Sequence, residues 1–383
     1  MNLSLPQKDL EIAANVISNL VERNASSQAV LANVLIDVSE SGVIFRGADK
    51  ESIVTVNLSG TVHAPGRTTV PADTFRDIVN LLPPQSNVTL REHGRQVTVT
   101  CEGSEYKLMT DPASDFPEWT AEPGASRFQL SQKVLKYLIE STTYALPAKD
   151  HRRVLMGVYF ELQNNTLRLT ATDGKKLARV STNIPEVEGE ASLSLIIPRK
   201  LLENAAKVMG NEGPVDVELS TRQVSFRIGN THYRGNAIDG KYPDCDAVIP
   251  KDFPTVITLN RDVFLTAARR AGVTADGKTH SIILRFEDGS CHFTSMAHDV
   301  GTFNGRVMLD YSGAPMELAF NVQYLLESLS RFANNEVRLH IKNNTAPVVL
   351  RSAEDEQRLA LLMPIKLADA RSAMPPEDEE EEG

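Results

Sequence analysis

The strongest chemical pattern in the chain is Gly272-Val-Thr-Ala-Asp-Gly277-Lys278-Thr279, which fills every position of the phosphate-loop motif G-x-x-x-x-G-K-[ST]. In that motif backbone N–H groups cradle the phosphates and the lysine reaches the outer ones, the chemistry of a nucleotide-handling enzyme. It requires a loop that leaves a strand and opens a helix, so that the positive end of the helix dipole meets the anion. Here the order is reversed: a helical pattern from Asn260 to Ala271 precedes the loop, and the strand Ser281-Ile-Ile-Leu284 follows it. A phosphate would meet a helix C-terminus, the wrong end of the dipole. We therefore read Gly272 as a helix stop and Asp276-Gly277 as a turn.

Other catalytic patterns are missing. There is no H-E-x-x-H, G-x-S-x-G or G-x-G-x-x-G run, and His151 beside Asp150 reads as a solvated pair in a basic loop. Cys101, Cys245 and Cys291 lie far apart with no C-x-x-C pair, which speaks against a disulfide framework and a zinc site and leaves them as small core or surface thiols. No metal or cofactor is expected, and no catalytic residue.

The elements around these residues form a repeat. Helix-period stretches begin at Pro6, Ser131 and Asn260, each a residue type suited to a helix start. Alternating strands follow at a constant offset of 124: Val34, Ile36 and Val38, then Val158, Phe160 and Leu162, then Ile282, Leu284 and Phe286. Each strand runs into a polar turn, Ser39–Gly42, Gln163–Thr166 or Glu287–Ser290, and a second strand. Second helices start at Pro71, Pro198 and Asn321, with Phe75, Leu202 and Leu325 four residues in. Three such units within 383 residues are each large enough for a core. The expectation is an α+β fold of three repeated domains, two helices packed on antiparallel strands in each: residues 1–123, 124–252 and 253–367, parted at Glu122–Ala125 and Pro250–Pro254.

Formal net charge is −10, which excludes a conventional basic-surface nucleic-acid binder. Six consecutive acids, Glu377–Glu382, carry part of it, and we expect residues 368–383 to form an acidic disordered tail. The six expected helices hold 11 Lys/Arg against 8 Asp/Glu, so they are positive in a chain that is otherwise negative. No window of about 18 apolar residues appears, and the Met1–Asp9 start lacks the apolar run of an export signal, so a cytoplasmic protein without membrane contact is expected.

Three blocks then converge on one family: Leu169-Thr-Ala-Thr172-Asp173-Gly174-Lys-Lys-Leu177-Ala, Asp239-Gly240-Lys-Tyr242-Pro243-Asp244, and Leu361-Leu362-Met363-Pro364-Ile365-Lys366-Leu367. Together with Phe320-Asn321-Val-Gln-Tyr324 and the threefold repeat, the chain resembles the bacterial DNA polymerase III beta subunit family, the sliding clamps. The resemblance implies three DNA-clamp domains closing as a head-to-tail homodimer into a six-domain ring. Such a ring encircles double-stranded DNA, independently of sequence, and tethers the replicative polymerase without a catalytic site of its own. It also implies docking of the clamp loader and repair proteins through a peptide pocket. Carried onto this sequence, that pocket is Leu155, Thr172, Gly174, Lys175, Lys176, Leu177, Pro243, Val248, Asn321, Tyr324, Thr345, Pro347, Leu361, Leu362, Met363, Pro364 and Ile365. The DNA-facing residues would be Lys133, Lys136, Lys149, Arg152, Arg153, Arg199, Lys200 and Lys207, and the dimer seam Tyr106, Leu108, Gly272 and Val273. Three features depart from the family pattern: Lys175-Lys176 where an arginine is usual at the second position, Ala247 at a frequent arginine position, and a tail beyond Leu367. The competing readings are a nucleotide-binding enzyme built on Gly272–Thr279 and a repeat scaffold with no DNA function.

Overall fold

The structure, a computed structural model, describes residues 1–22, 29–122, 126–352, 354–355 and 357–371. The expected Glu122–Ala125 boundary falls largely outside the described residues, and so do 372–383 with the acid run. The six expected helices are all present: α1 (Gln7–Leu20), α2 (Ala72–Leu81), α3 (Gln132–Thr143), α4 (Arg199–Val208), α5 (Arg261–Val273) and α6 (Val322–Ser330). Pro6, Pro71 and Pro198 stand at the N-caps of α1, α2 and α4, where a missing N–H is no loss. Asn260 and Asn321 cap with their side chains instead: Asn260 Oδ1 accepts from Val263 N at 3.1 Å, and Asn321 Oδ1 from Gln323 N at 2.9 Å and Tyr324 N at 3.3 Å.

The three hairpins are tighter than their polar stretches suggest. The first pairs Ser39 with Gly42 and the third Glu287 with Ser290, so only two residues turn in each. In the middle hairpin Asn164 and Asn165 both have positive φ, 48° and 62°; in the third Asp288 and Gly289 do, 39° and 73°. That is the conformation whose twist matches two adjoining antiparallel strands, and Asn, Asp and Gly are the residues that tolerate it.

Two compact units are distinguished by packing. The first comprises Met1–Ile139, Phe160–Leu167 and Asn183–Gly240; the second comprises Glu140–Tyr159, Arg168–Thr182 and the chain from Lys241 onward. In the first, a five-stranded antiparallel sheet runs in the order 61–64, 2–6, 87–93, 96–101, 104–109. A nine-stranded sheet joins strands of the first and middle repeats, because Thr231–Gly235 pairs antiparallel with Val56–Ser52. Helices α1 and α2 are tied by polar contacts at their margin: Arg76 donates to Ser18 Oγ at 2.6 Å and to Asp73 at 2.8 Å, and Ser18 donates to Asp73 at 2.8 Å. Beneath them Leu10, Ala13, Ile17, Phe75 and Val79 are buried at helical spacing.

In the second unit the strands 176–183, 358–362, 348–352, 336–341 and 255–260 pair in that order, and a four-stranded sheet runs 301–308, 290–297, 281–287, 316–321. Their inner faces and helices α5 and α6 enclose one core, where Phe264 and Phe293 meet edge to face at 4.8 Å with Phe286, Phe320 and Phe332 around them. A seventh helix, α7 (Leu367–Arg371), corrects the expectation of a structureless tail from 368: it buries Ala370 against Ile283 and Ala319, which repays ordering this first turn. All three cysteines are buried.

Gly272 is also corrected. It does not stop α5, which continues through Val273 to a cap at Thr274. A Cβ at Gly272 would lie 3.5 Å from both Val322 methyls, so the residue sits where α5 passes α6 closely. The stop is the following turn, where Asp276 Oδ1 accepts from Lys278 N at 3.0 Å and Thr279 N at 2.8 Å. Replacing Phe264 with Ala removes a fully buried ring from this core and is expected to cost about 3–5 kcal/mol, read as a lowered urea midpoint.

Candidate functional site

The block Thr172-Asp173-Gly174-Lys175-Lys176 folds into a turn that its own side chains hold. Asp173 Oδ1 accepts from Lys175 N and Lys176 N, each at 2.8 Å, Thr172 Oγ1 donates to Lys176 O at 2.7 Å, and Gly174 N donates to Thr172 Oγ1 at 3.0 Å. Gly174 has φ +89°, which a side chain would strain. The chain then enters strand 176–183, which pairs with strand 358–362 so that Leu177 faces Leu361, and Met363 N donates to Lys175 O at 2.9 Å. Two sequence blocks nearly two hundred residues apart thereby share one wall.

Over this wall lies a cleft of about 150 Å³ lined by Leu155, Leu177 and Leu361 below, by Thr172, Gly174, Lys175 and Lys176 on one side, and by Pro243, Asp244, Cys245 and Val248 on another, with Arg152 and Met363 at the margin. Leu155, Leu177 and Leu361 are buried, while Val248 and Met363 keep 49% and 39% of their surface in solvent. Exposed apolar side chains above a buried aliphatic floor favour an apolar guest. The 243–248 rim is stiffened by Asp244 Oδ1, which accepts from Asp246 N and Ala247 N at 3.1 and 3.3 Å, and by the stacked Tyr242 and Tyr159 rings at 4.9 Å. Arg179 donates to Asp246 at 2.5 Å, which holds that carboxyl below the ordinary range. Arg152 grips Asp150 through two N–H groups at 3.0 and 2.7 Å and lowers its pKa likewise. Both ion pairs therefore persist above the normal carboxylate range and are lost only as pH falls through the depressed values.

Ten of the seventeen expected pocket residues line the cleft. Leu362 does not: neighbouring residues of a strand face opposite ways, and it points into the core of the second unit. Asn321 serves as the α6 cap, Thr345 lies in a turn closed by Asn343 Oδ1, and Ile365 pairs with Ala319; Tyr324, Pro347 and Pro364 are likewise outside the lining. Tyr324 is nonetheless linked to it. Lys176 Nζ sits 4.6 Å from the centre of its ring and 2.5 Å from Glu327 Oε2, with the lysine side chain only 6% exposed. The lysine at this position thus joins the cleft wall to α6 by a salt bridge and a cation–π contact. Asp244 and Cys245 were not among the expected residues, although Asp244 closes one of the quoted blocks.

The expected DNA-facing residues have diverse surroundings. In the first unit Lys133 and Lys207 are exposed, Lys136 Nζ donates to Met209 O at 3.1 Å, Arg199 lies 3.8 Å from Glu203, and Lys200 is engaged by Asp49 at 2.7 Å. In the second unit Lys149 and Arg153 are exposed, whereas Arg152 belongs to the cleft. His151 is exposed, 3.5 Å from Asp150, and lies outside the cleft lining. Of the expected seam residues, Tyr106 is 37% and Val273 74% exposed, Gly272 is half-buried, and Leu108 is buried.

Family models for the N-terminal, central and C-terminal domains of the DNA polymerase III beta subunit match residues 1–120, 129–244 and 246–366. The chain belongs to this family of sliding clamps. The beta sliding clamp of Pseudomonas putida is 30% identical over 373 residues, 96% of this chain and 100% of that protein. The Escherichia coli beta sliding clamp is 29% identical over 343 residues, 88% of this chain and 92% of that protein. Among solved structures, the sliding clamp from Bartonella birtlesii bound to griselimycin superposes with a TM-score of 0.91 at 28% identity, covering 96% of this chain and 99% of that one. The Pseudomonas aeruginosa clamp bound to the same compound gives 0.90 at 26%, with the same coverage. The chain is accordingly a DNA sliding clamp of replication, a processivity factor and not an enzyme, with DNA, the polymerase and a second copy of itself as partners. The nucleotide-enzyme and scaffold alternatives find no support in these likenesses.

Removing the carboxylate of Glu327 leaves the Lys176 charge buried against Tyr324. Because Glu327 is itself 45% exposed, Glu327→Ala is expected to cost roughly 1–2 kcal/mol, measured by chemical denaturation. Glu327→Ala with Lys176→Met should recover much of that loss.

Proposed function

We propose that the cleft floored by Leu155, Leu177 and Leu361 is the clamp's docking site for short linear peptides of the replicative polymerase, the clamp loader and repair proteins. The observation that carries this reading is the contrast between the buried floor and the exposed Val248 and Met363 above it. One or two aliphatic or aromatic peptide side chains would fill the volume, each contributing roughly 1.5–3 kcal/mol when fully buried. Lys175 at the rim favours a peptide that carries a carboxylate beside its apolar anchor.

The same reading places Lys133, Lys136, Lys149, Arg153, Arg199, Lys200 and Lys207 toward the duplex, with the domain limits 1–123, 124–252 and 253–367 and action in the cytoplasm. Among the described residues no helix is long and apolar enough to cross a membrane. Weak phosphate contacts from scattered lysines and arginines are sequence-independent and permit sliding. For the seam, strand 104–109 ends one sheet and strand 301–308 ends another, and each presents unpaired backbone groups. Exposed Tyr106 and Met109 belong to the first edge and exposed Met308 to the second, with exposed Val300 just before it and Val273 exposed at the end of α5. A head-to-tail meeting of these edges in two copies closes a ring.

Loaded by a clamp loader, the protein should stay on nicked circular duplex DNA and be lost after linearisation. Tyr106→Ala should shift sedimentation toward monomer and shorten retention on circles. Equal loss from circles and linear DNA, or an unchanged dimer, would count against the ring or against Tyr106 respectively. Met363→Ala should weaken a fluorescent clamp-binding peptide about tenfold without altering the dimer.

A further inference from the structure

A second cleft lies on the outer face of the nine-stranded sheet, distant in sequence from the peptide cleft. Register places Arg46 opposite Thr55, Thr55 opposite His232, and His232 opposite Arg227, so four adjacent strands set these side chains in one row on one face. Arg234, two residues beyond His232, and Asn57, two beyond Thr55, share that face. The segment 117–119 completes the walls, and the enclosed volume is about 260 Å³.

The charge in this cleft is not neutralised from within. Glu118 is the one carboxylate in its lining, and Arg67, outside the lining, already holds it at 2.7 Å. Asp37 lies 3.8 Å from Arg46 and the same distance from Arg67, so it is shared. Glu218, whose charge reaches Arg234, is paired with Arg127 at 2.9 Å. Asp216 stands opposite Arg227 on the next strand and accepts from Gln129 at 2.9 Å, and neither Arg227 nor Arg234 makes a salt bridge or side-chain hydrogen bond among the described residues. Burial, then Arg234 and Arg227, hold His232 down at about 4, and burial and Arg227 lower Arg234 as well. His232 is 93% buried (7% exposed) and bonded to Ser225 Oγ at 2.6 Å, so the cleft has a built floor. The indole Nε1 of Trp119 in its wall is buried without a hydrogen-bond partner. Like charges gathered in one cleft are costly unless an anion answers them.

We propose that this cleft binds a small, multiply charged phosphate-type oxyanion, with pyrophosphate the best match in size. Three guanidiniums from three different strands line the one cleft, which suits phosphate groups bound through paired N–H donors. Thr55 and Asn57 add neutral donors. A cleft of about 260 Å³ has room for a diphosphate that keeps part of its hydration. A peptide carboxylate would bring one charge per residue on a chain that the walls at 117–119 must admit, so the small anion is favoured.

Trp119 is the one tryptophan of the chain and stands in the wall, so its fluorescence reports occupancy. The full-length dimer is titrated with sodium pyrophosphate at constant low ionic strength. A saturable change with a midpoint below about 1 mM is expected, at least about tenfold weaker in Arg234→Gln and separately in Arg46→Gln, and unchanged in Arg91→Gln, whose side chain is exposed on another sheet. Melting curves establish that each variant is folded, and the two cleft variants lie on different strands so that either alone suffices. Inorganic phosphate saturating the signal more weakly by the same residues supports the assignment. A response that never saturates, equal affinity in wild type and both cleft variants, or a hexaglutamate peptide that saturates at lower concentration than pyrophosphate would overturn it.

Discussion

A β-strand that commits one face to a core can offer a partner only its other face, its ends or, at a sheet margin, its edge. Every functional feature here follows from that restriction. The inner faces are taken by rows such as Val34, Ile36 and Val38 under the first helix pair and Ile282, Leu284 and Phe286 under the third. The cleft proposed for peptides accordingly forms at strand ends, where strand 176–183 begins and strand 358–362 finishes. The proposed seam uses edges, 104–109 and 301–308. The arginine cleft uses an outer face.

The electrostatics follow a similar division. A chain of net charge −10 gains little from overall attraction to DNA, and its helices are only mildly positive. A tight phosphate grip would also oppose movement along the duplex, since each contact must be broken to advance. Encirclement by a ring removes the conflict, because retention then depends on closure of the protein and not on affinity. Side-chain pairing such as Lys200 with Asp49 and Lys136 with the Met209 carbonyl tempers the positive helices further.

Lys176 shows how a single position can serve both structure and binding. Its backbone closes the Asp173 turn that shapes the cleft wall, while its ammonium reaches Glu327 and the Tyr324 ring on α6. A planar arginine fork could bind the carboxylate through two N–H groups; the lysine makes one short contact and uses the aromatic face for the rest. The lysine thereby ties α6 to the cleft wall, although Tyr324 does not line it.

Local chemistry by itself determined the repeat, the six helix starts and the hairpin positions. Proline and asparagine caps, paired Asn or Asp-Gly turns and period-two apolar runs act within a few residues and leave their mark in order. The same local logic, strand before loop and helix after, ruled against nucleotide binding at Gly272–Thr279 despite a complete motif. A glycine near a helix end has two uses, and only the approach of Val322 from α6 shows which one Gly272 serves. That Leu361 lines the cleft while Leu362 enters the core, and that Arg46, His232 and Arg227 meet in one row, were decided by strand register between distant segments. Register depends on which strands pair across the whole chain, and no spacing within one segment encodes it.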